Sequence, residues 1–216
     1  MSEPTTPVPP RPQWLRRRTA RAHVEHMIER LQPAGGPTAL STSALAQLRR
    51  GVGRVPGSVP ETWPWTMDGL EGTANSDRPS PEETAVHHAL TLFAVHQQSR
   101  DTSMNEPGRA FGRAIRLLAD GWGTDRAIQE SPVYRRFTAV ATAGGFSELI
   151  VHARGLIGQL RAEKIGFAYP AFAGDLCDLA TNWASAEVRR RWSRDFYARP
   201  TAAPDGDDND HSHEGE

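Results

Sequence analysis

Residues 146–165 read FSELIVHARGLIGQLRAEKI, and this stretch decides the fold class. Its apolar residues recur at i, i+1, i+4, i+7, i+8 and i+11: Leu149, Ile150, Ala153, Leu156, Ile157 and Leu160. This spacing places all six on one face of an α-helix. The stretch therefore predicts an amphipathic helix whose apolar face is buried against other elements.

The same helical spacing appears on both sides of this stretch. It predicts helices over 14–31, 43–50, 80–99 and 108–119, a helix from Ser131 to the Gly144-Gly145 break, another between Phe172 and Trp183, and a last one between Ser185 and Pro200. Ser80 and Glu83 have the spacing of a capping box, and Pro81 suits a first helical turn. Because no run of alternating β-branched residues occurs, the sequence predicts an all-α fold.

Composition divides the chain into four parts. Residues 1–12 contain five prolines and are expected to be disordered, as is the acidic tail over 200–216. Between them we expect two parts: an N-terminal helical domain over 13–122 and a C-terminal bundle of about four helices over 123–199. Residues 51–78 are rich in Gly and Pro, which predicts an irregular loop inside the first domain.

The net charge of −1 conceals an asymmetry. Six acidic residues and no Lys or Arg lie between Asp205 and Glu216; the rest of the chain holds 25 basic and 20 acidic residues. Lys164 is the only lysine. A GC-rich genome accounts for most of that bias, so only the positions of the arginines bear on function. Arginine is nevertheless the residue whose planar fork best fits phosphate.

Several classes of protein are disfavoured. No apolar run approaches the roughly 20 residues of a membrane span, and the N-terminus does not resemble a secretory signal. Since Cys177 is the only cysteine, a disulfide framework is excluded and a cytosolic location is expected. The expected partners accordingly do not include a membrane.

The sequence contains no recognisable catalytic motif. Phosphate loops, GxSxG, HExxH and CxxC patterns are all missing, so we expect neither an enzyme nor a cofactor or metal site. His87 and His88 point about 100° apart on a helix and cannot readily chelate one ion. His211 and His213 lie in the acidic tail, where weak metal binding is less plausible than a solubilising role.

Arginines recur at helical spacing, which is typical of a cationic face. Arg49 and Arg50 lie at the end of a short predicted helix. Arg109, Arg113 and Arg116 share one side of the helix predicted over 108–119. Two neighbouring helices carry Arg135 and Arg136 on the first and Arg154 and Arg161 on the second. Arginines on adjacent helices can form a continuous track for a phosphate backbone. The alternative is that they are ordinary surface residues of a helical bundle.

Five sequence segments together resemble those of one protein family. They are Ala46-Gln-Leu-Arg-Arg50, Gly112-Arg-Ala-Ile115, Val133-Tyr-Arg-Arg-Phe137, the stretch from Leu149 to Arg161, and Val188-Arg-Arg-Arg-Trp-Ser-Arg-Asp-Phe-Tyr197. In order and spacing, over about residues 14–199, the chain resembles the CasB family, the small subunit of the type I-E CRISPR complex Cascade. The loop over 51–79 and the tail are less similar to that family.

The resemblance implies a non-catalytic subunit that works beside other Cascade subunits and a second copy of itself. It implies contact with guide RNA, with the target DNA strand and with the displaced non-target strand. By position, the resemblance assigns phosphate contacts to Arg50, Arg113, Arg136, Arg154 and Arg161, with Arg49, Arg116 and Arg135 as a secondary set.

Two alternatives from other classes stay open at this point. A helical protein–protein adaptor would use the same arginines against acidic partners and would bind no oligonucleotide. A helix-turn-helix regulator would prefer one duplex sequence, although the chain has no clear recognition helix.

Overall fold

The computed structural model describes residues 11–70, 78–121, 123–183 and 186–198. Within these ranges the helices are α1 (Gln13–Leu31), α2 (Ala39–Arg50), α3 (Trp63–Thr66), α4 (Pro81–His96), α5 (Phe111–Asp120), α6 (Asp125–Glu130), α7 (Pro132–Thr142), α8 (Phe146–Ala162), α9 (Tyr169–Thr181) and α10 (Glu187–Tyr197). The described chain contains no strand, only an isolated bridge between Asn105 and Phe167. The all-α prediction is therefore confirmed.

Local capping explains where the long helices begin. The Ser80 hydroxyl accepts from the Glu83 amide at 3.1 Å, and the Glu83 carboxylate accepts from the Ser80 amide at 2.6 Å, so the predicted capping box forms. Ser131 caps α7 through its side chain, which accepts from the Tyr134 amide. Thr38 and Ser41 form a box that sequence inspection missed, which is why α2 begins at Ala39 rather than Ser43.

Three further differences concern helix limits. The loop over 51–78 contains a 3₁₀ turn, Pro60–Thr62, that leads directly into α3. Helix α6, capped by Thr124, is too short to show apolar periodicity and was not predicted. Helix α5 begins at Phe111, so Arg109 precedes it and is not on its face; the Arg109 guanidinium donates to the Gly166 carbonyl instead.

Helix α9 is the central element of the core. It packs against both α1 and α4, and its residues from Phe172 to Leu179 are buried. Phe111, Phe167, Phe172 and Trp192 meet around it, with ring centroids between 4.8 and 6.0 Å apart. Aromatic contacts of this kind add to the free energy of burial, so this cluster joins α5, α9 and α10 into one core.

An ion-pair network attaches α1 and α10 to α4 and α9. Arg16 reaches Glu82 at 3.0 Å, and Arg17 contacts Asp178 and, at 3.3 Å, Asp175. Asp175 also accepts from Arg191 at 2.6 Å and from the Trp192 indole at 2.7 Å. Burial raises the pKa of Asp175, although the neighbouring Arg191 charge acts in the opposite direction. We call Arg16, Arg17, Arg191, Glu82, Asp175, Asp178 and Trp192 the ion-pair network.

Some expectations concern residues that the structure does not describe. Residues 1–10, Ser185 and the acidic tail, including His211 and His213, lie outside the described ranges. The boundary at residues 122 and 123 stays a prediction; α9 from the second part packs on α1 and α4 from the first. No helix in the described ranges is long and apolar enough to span a bilayer.

Candidate nucleic-acid interface

Helix α8 carries two of the predicted arginines on one side. Arg154 and Arg161 are seven residues apart, so their Cα atoms are separated by about 10.5 Å along the axis. The six apolar residues of its stripe, from Leu149 to Leu160, are all buried. Their burial fixes the rotation of the helix and leaves Arg154 exposed. The predicted amphipathic helix is thereby confirmed.

Arg136 reaches α8 from the neighbouring helix α7. A Cβ atom built on Gly155 would meet the Cδ and Nη1 atoms of Arg136 at 3.2 Å and its Cζ atom at 3.3 Å. The Arg136 side chain therefore lies across α8 at the residue that follows Arg154. Glycine at position 155 makes this close crossing possible.

Arg49, in the last turn of α2, is within electrostatic range of Arg161. Desolvation lowers the pKa of Arg49, and the positive charge of Arg161 lowers it further. Arg161 donates to the Gln98 side-chain oxygen at 3.0 Å. Each arginine lies at the C-terminal end of its helix, where the helix dipole favours a cation and offsets part of their repulsion.

Arg154 and Arg161 thus lie on α8, Arg136 crosses it from α7, and Arg49 lies at the end of α2; we call these four residues the α8 row. None of the four has a carboxylate within ion-pair distance among the described residues. Guanidinium groups in this state can bind a polyanion without first giving up an internal carboxylate partner.

Arg100 belongs to the same region and was missed by sequence inspection. It follows α4, and its buried Nε atom has no hydrogen-bond partner in the described chain. His96 lies near both Arg100 and Arg161; burial, chiefly, and these two charges lower the pKa of His96 to about 4. Arg100 lies in a loop, so no helical spacing could have indicated it.

Two predicted residues flank the α8 row and have partners of their own. Arg50 approaches Glu61 at 3.6 Å, with both side chains largely exposed. Arg135 donates to the Glu130 carbonyl at 3.0 Å. Exposed contacts of this kind contribute little free energy and can be exchanged for a phosphate contact.

Arg113 and Arg116 lie apart from the row, on α5 beside the end of α10. Arg113 donates to the Ala198 carbonyl at 3.2 Å. Arg116 reaches Asp120 at 2.6 Å and Asp125 at 2.9 Å, and the hydrogen bond to Asp120 raises the pKa of Arg116. Its charge is already compensated, which makes Arg116 the poorest phosphate ligand of the predicted set.

The histidines of α4 and the cysteine are packed into the core. His87 donates to the Gly51 carbonyl at 3.0 Å, and burial lowers the pKa of His87 in spite of that bond. Burial lowers the pKa of His88 to about 3, so the His88 ring is neutral near pH 7. Burial also raises the pKa of Cys177 to about 12, so it is a thiol. In the described ranges no three His, Cys, Asp or Glu side chains are grouped to hold a metal ion.

Comparison with known proteins points to one family. A family model described as CRISPR-associated protein Cse2 matches residues 44–197. The crystal structure of CasB from Thermobifida fusca is 27% identical, with a TM-score of 0.62 over 86% of this chain and 97% of that one.

A Cse2-family protein from Thermus thermophilus shares the fold, with 22% identity and a TM-score of 0.60 over 82% of this chain and 97% of its own. No curated protein matches the sequence.

Proposed function

The chain belongs to the CRISPR-associated Cse2 family, and from this premise we propose that it is the non-catalytic small subunit of a type I-E Cascade complex. In this role it holds guide RNA and target DNA by their backbones and restrains the displaced non-target strand. Its partners are the other Cascade subunits and a second copy of itself, and it acts in the cytoplasm.

One observation carries the proposal: the α8 row presents four arginines without internal carboxylate partners in the described chain. A cationic surface of this kind attracts any polynucleotide, because each phosphate contact releases condensed counterions. It reads no bases, which suits a subunit that must accept every guide and target sequence.

The energetics of strand exchange explain why such a surface is useful. The RNA–DNA duplex that forms is about as stable as the DNA duplex that opens, so small contributions decide the outcome. Backbone contacts from the α8 row would stabilise the open state without any covalent step. No group in this proposal acts as a nucleophile, an acid or a base.

A salt titration of the isolated protein tests the proposal. We expect weak binding to single-stranded DNA or RNA with little sequence preference, and a steep fall in affinity between about 50 and 200 mM salt. An adaptor without a nucleic-acid role would bind no oligonucleotide, and a helix-turn-helix regulator would prefer one duplex sequence. Either result, or an affinity independent of salt, would contradict the proposal.

The assembled complex provides the second test. The Arg136→Ala and Arg154→Ala double variant should assemble normally and form an R-loop that dissociates faster than that of the wild type. An unchanged R-loop lifetime with the double variant would remove the α8 row from the mechanism.

A further inference from the structure

An exposed indole lies at the start of α1. The Trp14 side chain is 64% exposed, whereas Trp65 and Trp192 are 6% and 1% exposed. The fold gains little from an indole in that position, because the free energy of burial scales with the apolar area removed from water. Trp14 therefore has a large apolar surface that remains available for a partner.

The four arginines in the first half of α1 fall into two groups. Arg16 and Arg17 point towards Glu82, Asp175 and Asp178 in the ion-pair network. Arg18 and Arg21 are exposed and have no hydrogen-bonding or ion-pair partner among the described residues. The same helix therefore uses some guanidinium groups to hold the fold and leaves others open.

The open arginines share a face with the indole. Trp14, Arg18 and Arg21 stand at i, i+4 and i+7, a spacing that puts them on one side of a helix over about 10.5 Å. They line one cleft together with Arg17, Ala22 and Glu25. We call Trp14, Arg18 and Arg21 the α1 face.

The position of Arg21 is fixed by the neighbouring helix. A Cβ atom built on Gly174 of α9 would meet the Cγ and Cδ atoms of Arg21 at 3.0 Å, so the aliphatic stem of Arg21 lies directly on that glycine. A side chain held in this way loses less conformational entropy when its guanidinium binds a ligand.

We propose that the α1 face binds single-stranded nucleic acid, with a base stacked on the Trp14 indole and Arg18 and Arg21 on the adjacent phosphates. An aromatic platform beside a positive surface is the general device for holding single strands irrespective of sequence. The inference rests on the proposed function, which brings a single strand to this protein.

The composition of the α1 face favours this ligand over a protein. A stable protein interface buries about 800 Å² on each partner around an apolar core. Here one indole is surrounded by the charged side chains of Arg17, Arg18, Arg21 and Glu25, without a second large apolar group in the cleft. Glu25 carries a negative charge and limits the positive surface of the cleft beyond Arg21.

The α1 face and the α8 row lie towards opposite ends of α4. Arg16, two residues after Trp14, pairs with Glu82 in the first turn of α4, whereas Arg161 lies near His96 in its last turn. About fourteen residues of helix separate these points by about 21 Å.

Binding of a labelled oligothymidylate to the full chain tests the inference. Trp14→Ala should weaken binding about fivefold to tenfold, and Trp14→Phe should restore most of the loss because an aromatic face remains. Trp63→Ala serves as the matched control, since Trp63 is also an exposed tryptophan, and it should bind like the wild type.

The salt dependence separates stacking from charge. Trp14→Ala should leave the slope of log affinity against log salt unchanged. The double variant Arg18→Gln and Arg21→Gln, which keeps the stem on Gly174, should reduce that slope by about 1.4, or about 0.7 for each phosphate that is no longer neutralised. On an abasic strand, Trp14→Ala should bind as well as the wild type.

The outcomes separate this inference from the proposed function. If wild-type protein binds oligothymidylate and Trp14→Ala binds equally well, the α1 face is not a strand site while the α8 row remains one. If Trp14→Ala weakens binding to the abasic strand as much as binding to oligothymidylate, base stacking on the indole is refuted. If no strand binds the wild type, both proposals fail.

Discussion

Arginines lie at both ends of α4 and meet different surroundings there. At the N-terminal end, Arg16 and Arg17 enter the ion-pair network, whose carboxylates come from α4 and α9. At the C-terminal end, Arg49 and Arg161 are within electrostatic range of each other and have no acidic partner in the described chain. The same residue type therefore holds helices together at one end and remains available for an anion at the other.

This contrast shows that the role of an arginine depends on which helices pack beside it. Asp175 and Asp178 lie about 160 residues from Arg17 in sequence and touch it only because α9 packs on α1. Around the α8 row the neighbouring segments bring Arg136 from α7 and Gln98 from the loop after α4. Charge counted along the sequence cannot distinguish these two cases.

The largest expected effect comes from breaking the ion-pair network at its centre. Asp175→Asn removes the carboxylate that Arg17, Arg191 and Trp192 share, and a buried pair broken on one side costs about 3–4 kcal/mol. Thermal and urea unfolding would measure this loss. The folded variant should bind single strands with wild-type affinity, and a loss of affinity without a loss of stability would contradict the comparison.

Glycine substitutions compare the packing of the two regions. A Cβ atom on Gly112 would overlap the Trp192 carbonyl oxygen, so Gly112→Ala must separate α5 from α10 and should cost about 2–3 kcal/mol of unfolding free energy. Gly158 on α8 has open space around its Cβ position. Gly158→Ala should therefore stabilise the protein by about 0.5–1 kcal/mol. Equal changes in unfolding free energy for the two substitutions, measured by urea unfolding, would contradict this description of the packing.

Acid should weaken the packing of α8 against α4 through His88, which contacts Phe146. Burial lowers the pKa of His88 to about 3 from 6.5. As the pH falls below 6.5, the unfolded chain takes up a proton that the folded protein cannot, so the unfolding free energy decreases. The decrease reaches about 2 kcal/mol at about pH 5 and continues until the pH nears the folded pKa.

His88→Leu should remove this part of the pH dependence, as measured by urea unfolding near neutral pH and at about pH 5. The exposed His26 on α1 provides the control, and His26→Gln should keep the wild-type dependence. A His88→Leu protein that loses as much stability in acid as the wild type would show that another group is responsible.

The smallest loss of free energy expected in this comparison is a loss of strand binding by the α8 row. Arg154→Ala with Arg161→Ala should weaken single-strand binding about tenfold at low salt, which is about 1.4 kcal/mol, and leave the melting temperature unchanged. Arg126→Ala is the matched control, because Arg126 is a 90% exposed arginine that pairs with Glu130. Since Arg126→Ala removes one positive charge and the double variant removes two, a loss of log affinity half as large in Arg126→Ala would mean that only net charge matters.

The sequence predicted most of the fold because most of its helices are long enough to show apolar periodicity. Apolar spacing located α1, α4, α8 and α10, and the Ser80 box marked a helix start within one residue. Helices α3 and α6 were missed because one or two turns carry no measurable period. The Thr38 box was missed because its third residue is serine rather than the usual acid or amide.

The candidate site could be predicted only in part. Helical spacing put Arg154 and Arg161 on one side of α8, but no local pattern shows that Arg49 would come within electrostatic range of Arg161 or that Arg136 would cross Gly155. The pairing of Arg116 with Asp125 was equally hidden, since it depends on the unpredicted helix α6. Such contacts follow from how helices dock, which a single sequence does not specify.

The packing of α1 against α9 also has a consequence for biosynthesis. At about 5–20 residues per second, the ribosome needs on the order of 10–30 s to extend the chain from α1 to α9. Throughout that interval α4 can pack against the first helix, but the side that α9 covers stays open, and the carboxylates that will neutralise Arg17 do not yet exist. Late closure of the core, after α9 has been synthesised, is the expected result.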